Sequence, residues 1–376
     1  MIKAAVKAGI DNVSKLDILK EGRLGILTAP TGVNGNLRPT YEVLAERYNV
    51  TSLFAPEHGI RGDIQAGEHV ATYIDSETGL TVYSLYGEHK YMTDEMLDTF
   101  DILVFDIQDV GARYYTYIYS LSRSMKLCAE KGKKVVVLDR PNPVGGVIME
   151  GITLDERFSS GVGEYAMPAR YALTVGEFAT YINKEKNMNC DLTVIPCEGW
   201  KRSMYFEETG MPLILPSPNL PSVNAFINYF ATCYFEGTNI SEGRGTTIPF
   251  EIVGAPFVDG KALADTLNAK GLEGVVFRSA YFTPTFSKHK GERCGGVQIH
   301  ILDRNLYRPF DAGMYLVEEM RKYKEFEFLG GGNFEAKLFG DDSILKDDFS
   351  VSACFERAKK DCAEFKAKVE GVLMYE

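Results

Sequence analysis

Short apolar runs recur through the first half of the chain, separated by segments in which apolar residues have helical spacing. The apolar runs lie at residues 24–27, 50–54, 81–85, 102–107 and 135–138. Helical spacing is found at residues 39–48, 94–98 and 114–131. Continuously apolar strands that alternate with helices are typical of a parallel sheet covered on both faces. The first half is therefore predicted to be a Rossmann-like α/β domain.

The pattern changes in the second half, where helices and alternating strands are mixed. A capping box of Thr174 and Glu177 begins one more helix, and residues 192–195 are expected to add a strand to the same sheet. Further on, helices are predicted at 260–268, 312–323 and 350–369, and a half-buried strand at 296–303. This half is predicted to be α+β.

The length of 376 residues exceeds what one ordinary core needs, so two domains are expected. We place the Rossmann-like domain at residues 1–205. A smaller α+β domain at residues 206–376 is expected to complete a cleft against it.

Charge and hydropathy narrow the range of partners. The formal net charge is −11 and no basic stripe compensates it, which argues against a nucleic-acid partner. No apolar run approaches the roughly 20 residues that span a bilayer. The first residues lack the apolar stretch of a secretory signal. A cytoplasmic location is expected for the sequence as written, or an extracytoplasmic one if a leader has been removed.

The sequence predicts neither a cofactor nor a bound metal. Its seven cysteines include no C-x-x-C pair and are expected to be reduced. The loop at residues 29–36 is neither a dinucleotide fingerprint nor a Walker loop. Histidines are few and none has H-x-x-x-H spacing, although a metal-dependent hydrolase remains one alternative.

The candidate chemistry lies at the ends of the predicted strands. After residues 50–54 comes the turn Pro56-Glu57-His58-Gly59, which brings an acid and an imidazole together. Ligands in open α/β sheets bind outside the carboxyl ends of strands. A carboxyl there can act as a general acid when burial or a nearby carboxylate favours its protonated form. Glu57 is the best candidate, and a salt bridge with Arg61 is the alternative.

Other polar side chains are expected at the same cleft. Glycoside hydrolysis usually needs two carboxyl groups, and four further candidates are Asp109, Glu150, Glu236 and Glu242. Tyr114 and Tyr115 could stack on a sugar face, or at least one of them could begin the buried face of its helix.

Together these segments resemble a family of bacterial exo-β-N-acetylmuramidases that was formerly a domain family of unknown function. The matching stretches span most of the chain in the expected order, at residues 54–62, 106–116, 139–143, 150–151, 216–219, 236–246, 287–291 and 296–300. One departure is Tyr171, where many relatives carry histidine. If that histidine touches substrate, Tyr171 would change the contact.

The resemblance implies a glycoside hydrolase of cell-wall recycling with its site in an interdomain cleft. Such an enzyme releases N-acetylmuramic acid from the non-reducing ends of peptidoglycan fragments, and the family's catalytic glutamate maps to Glu57. Residues expected to bind substrate are His58, Arg61, Asp109, Arg113, Tyr114, Tyr115, Asn142, Glu150, Asn219, Glu236, Thr238, Asn239 and Arg244.

Muramic acid carries a lactyl carboxylate, so an acidic protein needs local cations to select it. We expect at least one of four arginines to contact that group: Arg61, Arg113, Arg140 or Arg244. The alternative from a different class is a non-catalytic binder of cell-wall sugars. The oligomeric state, the stereochemical course and the second carboxylate are not determined by the sequence.

Overall fold

The computed structural model describes residues 5–57, 59–62, 72–86 and 91–376. Its first domain is built on a seven-stranded sheet. The strands are β1 (Leu24–Thr28), β2 (Val50–Ala55), β3 (Tyr73–Ile74), β4 (Thr81–Ser84), β5 (Ile102–Asp106), β6 (Lys134–Leu138) and β7 (Asp191–Ile195). They are arranged in the order β3-β4-β2-β1-β5-β6-β7. All neighbours are parallel except β3 and β4.

This order is that of a Rossmann-type sheet with one added antiparallel edge strand, β3. The chain moves outward from β1 through β2 to β4, then crosses to the other side of β1 and continues through β5, β6 and β7. The strand order thus reverses between β1 and β5. β1 and β5 are buried along their whole length, as central parallel strands covered on both faces must be. The predicted fold class is confirmed.

Four α-helices accompany this sheet. They are α1 (Thr40–Ala45), α2 (Asp94–Leu97), α3 (Tyr117–Glu130) and α4 (Val175–Glu185). Thr93 caps α2 by accepting a hydrogen bond from the backbone N–H of Met96, and Thr174 and Glu177 form the predicted capping box of α4. The apolar stripe of α3 faces the core.

The second domain has a three-stranded antiparallel sheet, formed by β8 (Ile252–Ala255), β9 (Val275–Phe282) and β10 (Cys294–Ile301) in the order β8-β10-β9. Its α-helices are α5 (Val223–Thr232), α6 (Gly260–Ala269), α7 (Pro309–Met320), α8 (Asn333–Phe339) and α9 (Val351–Val369). Val297 and Ile299 of β10 are buried while Gln298 and His300 are half-buried, as the alternation predicts. No helix among the described residues is both long and apolar enough to cross a membrane.

Sequence reasoning missed several elements of this domain, including α5, α8, β8 and β9. Every residue of α5 except Asn224 is buried. Asn224, Asn228 and Thr232 recur at i, i+4 and i+8, so a helical signal was available in the sequence. The boundary at residue 205 stays a prediction.

Arg113, in the loop between β5 and α3, connects this loop to the second domain. Its guanidinium donates hydrogen bonds to the backbone carbonyls of Leu338 at 2.8 Å and Phe339 at 2.9 Å, and to that of Lys337 at 3.4 Å. These carbonyls end α8 and have no partner within the helix. Arg113 is fully buried. Arg113 therefore caps α8, and its expected contact with substrate stays a prediction.

We predict that Arg113→Lys lowers the free energy of unfolding by about 3 kcal/mol, because one ammonium cannot reproduce the guanidinium fork and leaves buried carbonyls unpaired. Urea unfolding followed by circular dichroism measures this. The matched control is Arg38→Lys, at an exposed pair with Glu46, where a change of about 1 kcal/mol or less is expected. Equal losses in the two variants would contradict the capping role.

Candidate active site

A cleft of about 1050 Å³ lies between the carboxyl edge of the seven-stranded sheet and the second domain. The first domain contributes Glu57, Leu85, Tyr86, Tyr114, Tyr115, Thr116, Ser120, Arg123, Gly161 and Val162. The remaining lining residues are Ser217, Asn219, Leu220, Tyr229, Glu236, Glu242, Arg244, Phe250, Phe286, Ser287, Lys288 and Phe334. This volume is at the upper end of the range for small-molecule sites.

Glu57 follows β2 directly and faces hydroxyl groups from two other strand ends. Thr116 Oγ1 lies 3.4 Å from Glu57 Oε2. The Tyr117 hydroxyl oxygen lies 3.2 Å from the Glu57 carbonyl oxygen, which is a second acceptor, beside the Pro216 carbonyl, for its one proton. Tyr86, after β4, shares a hydrogen bond with the carboxylate. Burial, and then the nearby Glu57, raise the pKa of Tyr86 to about 12. The Tyr86 hydroxyl therefore keeps its proton and acts as a donor to Glu57.

The tyrosines that follow β5 hold the second domain against the sheet. The Tyr115 and Tyr117 hydroxyls both donate to the carbonyl of Pro216, at 2.7 and 3.0 Å. The Tyr114 hydroxyl donates to the carbonyl of Tyr229 at 3.1 Å. Tyr114 and Tyr115 line the cleft but are largely buried, so their first role is to position its walls.

Four charged side chains form a connected cluster on the opposite wall, which we call the ion cluster: Glu236, Glu242, Arg244 and Lys288. Arg244 lies between the carboxylates, with Nε 3.0 Å from Glu242 Oε1 and Nη2 3.2 Å from Glu236 Oε1. Lys288 Nζ lies 2.8 Å from Glu242 Oε2. Lys288 also donates to the carbonyl of Ile240 at 2.7 Å.

Loop geometry fixes this cluster in place. Gly245 has a φ of +82°, and a Cβ there would lie 2.5 Å from the carbonyl oxygen of Phe286. Only glycine allows the Arg244 loop to approach the Lys288 loop so closely. Ser287 and His289, on either side of Lys288, are also left-handed, with φ of 66° and 55°. Strained backbone of this kind is concentrated at functional sites.

Glu335 lies behind the ion cluster and is fully buried. Neither carboxyl oxygen has a hydrogen-bond partner among the described residues. Burial raises its pKa well above the ordinary value, opposed by Lys288 and reinforced by Glu236. Burial therefore favours the neutral, protonated form of Glu335. In that form Glu335 leaves the two cations of the ion cluster paired with Glu236 and Glu242.

Several residues expected to bind substrate are used inside the first domain instead. Asn142 donates to the carbonyl of Leu173 at 2.8 Å, and Glu150 pairs with Arg170 at 2.7 Å. Asp109 accepts a hydrogen bond from the Gly111 N–H at 2.7 Å. None of these three carboxyl or amide side chains is among the described residues that line the cleft.

Other residues expected to bind substrate also bond to neighbouring groups of the protein. Their contacts with substrate stay predictions. The Thr238 hydroxyl donates to the carbonyl of Phe235, and the Asn239 amide donates to that of Glu325. Arg61 pairs with Asp75 at 2.8 Å, and Arg140 is buried against Asp106. His58 lies outside the described residues. Of the expected residues, the structure brings Glu57, Tyr114, Tyr115, Asn219, Glu236 and Arg244 to the cleft.

Sequence reasoning left some cleft residues out of the candidate set. Thr116 and Lys288 lie within stretches that carry the family resemblance, so that signal was available. Tyr86 and Phe334 carry no local signal, because only the packing of separate loops brings them to the rim. Among the described residues, no group of three or more His, Cys, Asp or Glu is arranged to hold a metal ion.

Tyr171 does not touch the cleft. It is fully buried, and its hydroxyl donates a hydrogen bond to Asp109 Oδ2. The departure from the histidine of many relatives therefore changes an internal hydrogen bond rather than a cleft contact. Burial raises the pKa of Asp109 to about 6, although Tyr171 and the Gly111 N–H oppose this.

Family comparisons cover nearly the whole chain. Residues 24–224 match the profile described as exo-β-N-acetylmuramidase NamZ, N-terminal, and residues 227–375 match its C-terminal counterpart. The chain is 45% identical to the peptidoglycan β-N-acetylmuramidase NamZ of Bacillus subtilis strain 168, over 99% of this chain and 92% of that protein.

Two crystal structures of DUF1343 family proteins from Bacteroides fragilis NCTC 9343 share the fold. One superposes with a TM-score of 0.93 at 34% identity and covers 100% of both chains. The other has a TM-score of 0.79 at 32% identity and covers 99% of both chains. The family resemblance stated from the motifs is confirmed.

We predict that Asp109→Asn removes a pH-dependent cost of folding. The pKa of Asp109 is raised from 3.8 to about 6 on folding, so its protonated form favours the native state, and this contribution is lost as pH rises from about 4 through 6. Between pH 4 and pH 7, the stability of the variant relative to wild type should rise by about 2–3 kcal/mol. Urea unfolding at both pH values measures it, and a constant difference would contradict the buried-acid interpretation.

Proposed function

The chain belongs to the NamZ exo-β-N-acetylmuramidase family, and on this premise we propose that Glu57 is the general acid of its hydrolytic reaction. The protein is a glycoside hydrolase of the exo-β-N-acetylmuramidase type. Its proposed substrates are peptidoglycan fragments that end in N-acetylmuramic acid at the non-reducing end. Membership of a hydrolase family disfavours the alternative of a non-catalytic sugar binder.

The proposal rests on the chemical difference between the two walls that face each other across the cleft. Glu57 is the only carboxyl that the first domain contributes among the described lining residues, and the ion cluster lies on the wall of the second domain. A sugar bound between them would present its glycosidic oxygen to one wall and its ring substituents to the other. This division suits a reaction in which one group donates a proton to the leaving oxygen while others bind the N-acetylmuramic acid whose anomeric bond breaks.

In the proposed step, Glu57 donates its proton to the glycosidic oxygen as the bond from that oxygen to the anomeric carbon breaks. Positive charge then develops on the sugar ring. Tyr86 and Thr116 hold the Glu57 carboxyl in place through their hydroxyl groups. Because these hydroxyls come from different strand ends, the orientation of Glu57 depends on the intact sheet edge.

Arg244 is proposed to bind the lactyl carboxylate. Of the four arginines considered, it is the one among the described lining residues of the cleft. Its Nε and Nη2 atoms face Glu242 and Glu236, and among the described residues Nη1 forms no hydrogen bond. Nη1 thus offers a donor to an anionic substituent. Lys288, by contrast, is already bonded to Glu242 and to backbone carbonyls.

We predict that Glu57→Gln slows hydrolysis of a muramic-acid-terminated disaccharide by roughly a hundredfold to ten-thousandfold. The loss on 4-nitrophenyl N-acetylmuramide should be smaller, because nitrophenolate leaves with little help from an acid. Mass analysis and absorbance measure the two rates. The matched control is Glu46→Gln, at an exposed pair with Arg38. Near-full activity of a folded Glu57→Gln enzyme on the disaccharide would remove Glu57 from this role.

We predict that Arg244→Gln reduces selectivity for the muramic-acid disaccharide over its glucosamine counterpart by about 10- to 100-fold, since a charge-assisted hydrogen bond is lost. The ratio of kcat/KM values for the two substrates measures selectivity. Arg278→Gln, which removes an exposed hydrogen bond to Gln298, should leave the ratio unchanged. If the Arg244 variant keeps full selectivity, another group recognises the lactyl carboxylate.

A further inference from the structure

Two carboxyl groups line the cleft from the second domain, and their surroundings differ. Both oxygens of Glu242 face cations: Oε1 lies 3.0 Å from Arg244 Nε, and Oε2 lies 2.8 Å from Lys288 Nζ. Its side chain is only 2% exposed. Glu242 Oε2 has no hydrogen bond among the described residues, but it is enclosed beside the Lys288 ammonium. Glu242 is therefore held as a buried counter-ion inside the wall.

Glu236 is held by one oxygen only. Oε1 accepts a hydrogen bond from Arg244 Nη2 at 3.2 Å and lies 3.8 Å from Cys233 Sγ. Oε2 has no hydrogen bond among the described residues, and the side chain is 19% exposed at the cleft. One oxygen therefore fixes the orientation of the carboxyl, and the other is available to water or substrate.

We propose that Glu236 is the second reacting carboxyl of this enzyme and accepts the proton of the attacking water. This inference rests on the proposed function, in which Glu57 supplies the proton to the leaving oxygen. Sequence reasoning placed Glu236 among thirteen possible substrate contacts and among four candidates for the second carboxyl group. Glu236 has one oxygen paired with a cation, whereas both oxygens of Glu242 lie beside cations. This difference favours Glu236 over Glu242 as the reacting group.

The step balances in atoms and protons. Glu236 takes a proton from water as the water oxygen bonds to the anomeric carbon. At the same time the bond to the leaving oxygen breaks, and that oxygen takes the proton of Glu57. Glu57 ends as a carboxylate and Glu236 as an acid, and exchange with solvent in the open cleft restores both. A single displacement of this kind inverts the anomeric configuration.

The surroundings of Glu236 suit a proton acceptor. Burial raises its pKa, and the positive charge of Arg244 opposes this. A carboxylate that is harder to keep ionised than an exposed one binds a proton more readily near neutral pH. Burial favours the neutral form of Glu335 behind it, which does not compete with Glu236 for the charge of Arg244.

The backbone holds Glu236 rigidly. The residue lies in the short 3₁₀ helix Cys233–Gly237 that continues α5. The next residue, Gly237, packs so closely against α8 that a Cβ there would lie 2.8 Å from the backbone nitrogen of Glu335 and 2.6 Å from its Oε2. A reacting group on a helix fixed by a neighbouring helix keeps the positional precision that proton transfer requires.

The test compares Glu236→Gln with Glu57→Gln on the same two substrates. Glu236→Gln should lower kcat by roughly a hundredfold to ten-thousandfold on both the disaccharide and 4-nitrophenyl N-acetylmuramide, with little change in KM. Glu57→Gln should be impaired mainly on the disaccharide. The matched control is Glu207→Gln, which loses a carboxylate paired with an arginine away from the cleft.

Two further readouts separate a reacting base from a binding group. Proton NMR during wild-type hydrolysis should show α-configured N-acetylmuramic acid as the first product of a β-linked substrate. Azide added to Glu236→Ala should restore turnover of the nitrophenyl substrate and yield the α-glycosyl azide. If Glu236→Ala does not fold, Glu236→Gln, which keeps the volume of the side chain, carries the kinetic test.

A β-configured first product, or a Glu236→Gln effect confined to KM, would overturn the assignment while leaving the hydrolase function intact. Failure of the wild-type protein to release N-acetylmuramic acid from either substrate would instead overturn the proposed function. The two failures are therefore distinguishable.

Discussion

The cleft depends on residues 113–117, which comprise the end of the segment between β5 and α3 and the first residue of α3, and four of which bond to the second domain. Arg113 caps the end of α8, and the hydroxyls of Tyr114, Tyr115 and Tyr117 donate to carbonyls of the second domain. These are buried hydrogen bonds to backbone atoms, so losing one donor leaves an unpaired carbonyl in the interior. The same segment carries Thr116 to Glu57, so the contact that holds the domains together also orients the proposed acid.

The electrostatics of the site follow from the burial of several charges together. An acidic protein that binds an anionic sugar must present a cation without leaving it unpaired in a poorly solvated wall. Arg244 between two carboxylates meets this requirement, and the carboxylates in turn need the second cation, Lys288. Burial favours the neutral form of Glu335, which adds no negative charge to the cluster next to the anionic substrate.

Paired side chains lie at the strand-order reversal of the Rossmann-type sheet. Near the point where the strand order reverses, Arg140 is buried against Asp106, and Thr40 donates to the same carboxylate. Only a cavity of about 60 Å³ remains there, lined by residues such as Thr31 and Gln108. The large cleft opens instead over the ends of β2, β4 and β5. The first loop also lacks a phosphate-binding motif.

The sequence by itself determined the order of strands and helices in the first domain, because apolar runs and caps are local signals, and its motifs identified the family and the Pro56-Glu57 turn. Sequence reasoning did not predict α5, although Asn224, Asn228 and Thr232 recur there at helical spacing. The sequence could not distinguish polar residues that bond inside the protein from those that line the cleft. Arg113 and Asp109 belong to the first group, and Arg244 and Glu236 belong to the second. In the sequence alone, a polar residue near a strand end looks the same whether its side chain bonds internally or faces the cleft. Only the tertiary structure decides which carbonyl, carboxylate or open space its side chain meets, since that depends on loops far apart in the chain.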